Sequence, residues 1–86
     1  MTAPQKNLPK RNKPYRDEVG IKKFGQRLRE VRREKGISQE ELQRRTGFDL
    51  SQIGRIERGI VNTSVSHAFK LAKALDVPVF ELFKFD

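Results

Sequence analysis

Apolar positions recur along this chain at three- and four-residue steps, the spacing that lines one face of an α-helix. Ile21, Phe24, Leu28 and Val31 make the first such stripe. It predicts a helix from about Gly20 that ends at Gly36, with Ile37 packing as a staple before the next start. Ser38 and Glu41 then form a Ser-x-x-Glu capping box, so a second helix spans about 39–46 with Leu42 as its main core residue. Gly47 marks a tight turn, where a residue without Cβ takes positive φ. Asp49 opens a third helix over about 50–58, with Gln52 completing a second box, Ile53 and Ile56 inward, and Gly59 closing it.

A polar loop, Asn62-Thr63-Ser64, separates this pair from a fourth helix capped by Ser64. Its apolar set is Val65, Ala68, Phe69, Leu71, Ala72 and Leu75. Asp76-Val77-Pro78 breaks it, and Pro78 suits the first position of a short last helix holding Phe80, Leu82 and Phe83. The pattern is an all-α, compact five-helix bundle with a helix–turn–helix at helices two and three.

Residues 1–18 differ. They hold Pro4, Pro9 and Pro14, few apolar side chains, and five cations (Lys6, Lys10, Arg11, Lys13, Arg16) against Asp17 and Glu18. Such a segment cannot bury enough surface to offset its ordering entropy. It reads as a flexible basic arm ahead of one domain at 19–86. It either lies weakly along DNA phosphates or a minor groove, or serves as a solvated tail.

The 86 residues suffice for one domain. No cysteine is present, which excludes disulfides and thiolate metal sites. No signal-like or membrane-spanning apolar run is visible, and the chain reads as cytoplasmic, associated with the nucleoid through DNA. The formal net charge is +8 and the pI about 10.3, which favours a polyanionic partner.

That charge gives the helix pair a use. The major groove of DNA admits an α-helix, and the second helix of such a unit is the one that enters. Opposite Ile53 and Ile56 stand Leu50, Ser51, Gln52 and Arg55. Arg55 can take guanine O6 and N7, Gln52 adenine N6 and N7, Leu50 a thymine methyl, and Ser51 a donor or an acceptor. Asp49 and Arg58 lie near the DNA backbone. Gln39, beside the free N–H groups of helix two, can hold a phosphate oxygen, and Asn62 is a further phosphate candidate.

Three stretches, FGQRLREVRREKGISQEEL, TGFDLSQIGRIERG and LAKALDV with FELF, resemble the Cro/C1-type (XRE-like) helix–turn–helix repressors from Phe24 to Leu82. The resemblance implies a lambda-repressor-like DNA-binding domain that is normally a homodimer on a palindromic operator. By position it makes Gln39 a phosphate-binding glutamine, Leu50, Ser51 and Arg55 base readers, and Arg58 a backbone contact. It also makes Arg32 and Glu57 an ion pair tying helix one to the end of helix three. Gln43 stands where the family usually has a small residue, so its amide must turn outward or the helix crossing must open. Ile60 and Val61 replace an often basic loop and cannot neutralise phosphates, which weakens the expected backbone contact there, and Thr63 replaces a frequent proline at little expected cost. With Phe83 and Phe85, Ile60 and Val61 are candidate dimer contacts.

A second class stays open: some proteins of this type resemble coactivators that bridge other proteins, and the apolar loop with the aromatic C-terminus fits an adaptor. Enzymatic function is not expected. The single histidine, His67, reads as a surface or capping residue, and no carboxylate pair, metal spacing or phosphate loop accompanies it. No cofactor, metal or small-molecule ligand is implied.

Overall fold

The computed structural model describes residues 15–86; most of the expected basic arm lies outside the described residues. Among those described there are four α-helices, α1 (Glu18–Glu34), α2 (Gln39–Thr46), α3 (Leu50–Glu57) and α4 (Val65–Ala74), then a 3-10 turn at Val79–Phe83. The expected fifth α-helix is therefore only that turn. Pro78 precedes it with extended backbone instead of opening it, and the segment closes through Glu81 N–H to Pro78 O at 3.0 Å. So short a segment gains too few hydrogen bonds to offset nucleation of an α-helix.

The first helix starts earlier than the apolar stripe implies. The Asp17 carboxylate accepts from the Gly20 N–H at 2.9 Å, which makes Asp17 the N-cap. Arg16 reaches across to donate to the Ile60 carbonyl at 3.1 Å. The expected boundary between residues 18 and 19 thus falls inside the first turn of α1, because capping and a long-range contact tie Arg16–Glu18 to the domain.

Leu28, Leu42, Ile53, Ile56, Leu71, Leu75 and Leu82 are fully buried and come from every element. α1 packs on α3 and the 3-10 turn, and α2 packs on α3 and α4. Val65, Phe69 and Phe80, expected inward, are mostly exposed. The apolar face of α4 is wider than the surface that α2 and the turn cover. The C-terminal turn is clamped to α1 by Arg27, which donates to the Glu81 backbone oxygen at 2.8 Å and its carboxylate at 3.1 Å. Lys84 first, and Arg27 after it, hold the Glu81 carboxyl below the usual carboxylate range. The Thr63 hydroxyl oxygen is buried without a hydrogen-bond partner among the described residues, so threonine at this position is not free of cost.

Two features set α3 against α1. The first is steric: a Cβ on Gly25 would stand 2.3 Å from the Ile56 carbonyl oxygen and 2.7 Å from that of Glu57. Only glycine lets the helix backbones approach so closely. The second is ionic. Arg32 and Glu57 are almost fully buried. Arg32 Nε donates to Glu57 Oε2 at 2.6 Å and Nη2 to Oε1 at 2.9 Å. Its Nη1 donates to the Ile37 carbonyl at 3.0 Å, so the guanidinium also secures the link between α1 and α2. Charge-assisted, two-pronged bonds of this kind are short and directional. Hydrogen bonds to the Glu57 carboxylate raise the Arg32 pKa further.

Gly25→Ala should lose about 1–3 kcal/mol in urea unfolding, because the clash is with backbone. Gly54→Ala should instead be neutral or gain up to about 1 kcal/mol, since its Cβ would meet only the mobile tip of Arg58. Arg32→Met or Glu57→Leu alone should cost about 3–5 kcal/mol, and the double variant less than either single change, as a buried charge left alone is worse than none.

Candidate nucleic-acid interface

Helix α2, which leads into the turn before α3, is pinned at both ends. Ser38 caps α2 by accepting from the Glu41 N–H at 3.0 Å. Arg45 first, with Arg44, holds the Glu41 carboxyl below its usual range. At the other end Gly47 is left-handed, φ 79°, and its N–H bonds the Gln43 carbonyl at 2.7 Å. Thr46 is buried; its hydroxyl donates to the Leu42 carbonyl at 2.8 Å and accepts from the Phe48 N–H at 3.1 Å. Phe48 then packs on the core. The direction in which α3 leaves the turn is thereby set.

Asp49 is the N-cap of α3 with extended backbone, yet its side chain makes no capping bond. The expected box with Gln52 is absent. Gln52 points to α4 instead, its amide nitrogen 3.5 Å from His67 Nδ1. The first N–H groups of α3 thus lack a side-chain cap, and the positive end of the helix dipole is open.

Ile53, Ile56 and Glu57 face inward. Ser51, Arg55 and Arg58 are exposed and fall one and two turns apart, so they share one outward stripe. Leu50 and Gln52 flank it, half-buried. Neither Arg55 nor Arg58 forms an ion pair among the described residues, whereas Arg27, Arg32, Arg44 and Arg45 all do. The outer surface of α3 carries uncompensated positive charge, and four arginines of the supporting helices spend theirs internally.

Gln39 stands at the start of α2, half-buried, and its amide donates to Glu57 Oε1 at 2.9 Å. One N–H and the amide oxygen remain. Gln43 is half-buried on α2. Asp49 is exposed, but its carboxylate has only acceptors, so any phosphate contact there would use the backbone N–H.

The remaining candidates lie elsewhere. Val61, Asn62, Phe83 and Phe85 line one open groove of about 490 Å³ between the start of α1, the α3–α4 loop and the C-terminus. Phe83 stacks 5.1 Å from Phe24 and 6.3 Å from Phe85. Val61 is half-buried against the core, while Ile60 is half-exposed and outside the groove lining. Asn62 therefore sits with the aromatic cluster. Three residues that place the site escaped the sequence pattern: Thr46, His67 and Arg45, which donates to the Ala74 carbonyl at 2.9 Å and joins α2 to the end of α4. Thr46 beside Gly47 was the one local signal; the others act between elements distant in sequence.

The sequence and the fold are similar to those of known proteins. The helix-turn-helix family pattern matches residues 28–82. An HTH-type transcriptional regulator of Sinorhizobium fredii is 41% identical over 61 residues, covering 71% of this chain and 79% of that protein. The regulator SinR of Bacillus subtilis is 39% identical over 60 residues, 69% of this chain and 54% of SinR. The crystal structure of the restriction-modification controller protein C.AhdI from Aeromonas hydrophila superposes with a TM-score of 0.73 at 51% identity, covering 76% of this chain and 98% of that one. The controller C.Esp1396I, solved as a tetramer on its natural 35 base-pair operator, superposes with a TM-score of 0.72 at 26% identity, covering 79% and 90%. With its buried Arg32–Glu57 clasp beneath an outward-facing α3, this chain belongs to the Cro/C1-type (XRE-like) helix–turn–helix family of transcriptional regulators.

Proposed function

We propose that this protein binds a specific double-stranded DNA operator by laying α3 in the major groove, and that it represses or autoregulates transcription as a small controller. The observation that carries this reading is the exposed Ser51–Arg55–Arg58 stripe, whose two guanidinium groups are left uncommitted on a chain of net charge +8. Leu50, Ser51, Gln52 and Arg55 read bases, and Arg58 and Gln39 engage phosphates. The similarity to C.AhdI over nearly all of that protein supports the controller subtype.

The DNA unit is a homodimer on a two-fold symmetric site, its α3 helices about 34 Å apart. Phe83 and Phe85, half-exposed beside the open groove, supply the self-complementary surface, extended by Val61. Ile60 flanks it.

Selection of bound sequences from a random DNA pool should return a two-fold symmetric site. Arg55→Ala should lose about 1–3 kcal/mol of affinity and relax one base position per half-site. Arg58→Ala should weaken all sequences evenly and reduce the salt slope by about 1. Binding indifferent to Arg55→Ala would point to the adaptor reading. Sedimentation at tens of micromolar should give twice the 10.0 kDa chain mass, and Phe83→Ser should return the monomer.

A further inference from the structure

We propose that His67 is a positioning residue for Gln52: it sets the plane of the amide so that Gln52 offers one donor and one acceptor, side by side, to an adenine. The inference rests on α3 being the base-reading helix. Gln52 Nε2 lies 3.5 Å from His67 Nδ1. An amide nitrogen has only hydrogens to offer, so the ring nitrogen facing it must carry its lone pair. The ring proton then sits on Nε2.

The imidazole is a fixed acceptor. Its ring packs 4.6 Å from that of Phe48, tilted by 49°, and Phe48 rests on the core. Its backbone N–H is held by the Ser64 hydroxyl at 3.0 Å in the first turn of α4. The anchor for a side chain on α3 is thus supplied by α4 and by the turn ahead of α3. A glutamine's last torsion is broad and nearly two-fold, so a free Gln52 would present donor and acceptor in either order. Here one amide hydrogen goes to His67. The other hydrogen and Oε1 remain, and they match adenine N7 and N6. Turning the amide over would set Oε1 against the lone pair of Nδ1.

Two measurements test this. Long-range nitrogen–proton NMR of the free full chain at about pH 8, where an ordinary imidazole is neutral, should show His67 protonated on Nε2; the Nδ1–H form would overturn the proposal. The second is sequence selection with the wild type, Gln52→Ala and His67→Phe; phenylalanine keeps the ring on Phe48 and removes the acceptor. The wild type should prefer adenine at one position per half-site. Both single variants should lower that preference by about tenfold, leave other positions unchanged, and the double variant should be no worse than Gln52→Ala. Retention of the adenine preference in His67→Phe, or an even loss over all positions, would refute the role of His67. Absence of any base preference in the wild type would instead refute the reading of α3 as base reader.

Discussion

The Glu57 carboxylate is the point on which this structure turns. It is buried at the last residue of α3 and receives the guanidinium of Arg32 from α1 and the amide of Gln39 from α2. One anion thereby joins three helices. Removing two charges from water is expensive, so the pair is no simple source of stability. What it supplies is direction, because a two-pronged guanidinium–carboxylate bond tolerates little rotation. The orientation of α3 is written into that bond.

Gly25 makes the arrangement possible. The same end of α3 that carries Glu57 presses its carbonyl oxygens onto α1 where no side chain intervenes. A larger residue there would push α3 outward and lengthen the ionic bonds beneath it. At its other end α3 is held by the Thr46 hydroxyl, the packing of Phe48, and the contact from Gln52 to α4. A helix of eight residues has little stability of its own. Fixed at both ends, it needs none, and its outer stripe is free to be polar and cationic.

Charge is divided along the same line. Four arginines of the supporting helices are committed internally: Arg32 to Glu57, Arg27 to Glu81 and Glu30, Arg45 to Glu41 and Ala74, Arg44 to Glu41. Arg55 and Arg58 lie outside this set among the described residues. A polyanion at α3 would therefore meet cations without having to break existing pairs.

Periodicity, the Ser38 cap and the Gly47 turn were enough to place α2 and α3, because those signals act over three or four residues. The stripes led by Leu28, Leu42, Ile53 and Leu71 likewise identified the core, since a buried helix face repeats with the helix. Where the reading went astray, long-range packing had decided. Phe69 and Phe80 are as apolar as any core residue, yet half or more of each stays exposed. Asp49 and Gln52 have the spacing of a capping box, but His67, fifteen residues further on, takes the glutamine. The last helix is only a short 3-10 segment, closed by its own Glu81–Pro78 hydrogen bond and held to the domain by buried Leu82 and by Arg27. Local sequence thus determined which segments are helical and which face of each is apolar; only the assembled fold decided which apolar faces find a cover and which polar groups find a partner, since both depend on what stands opposite in space.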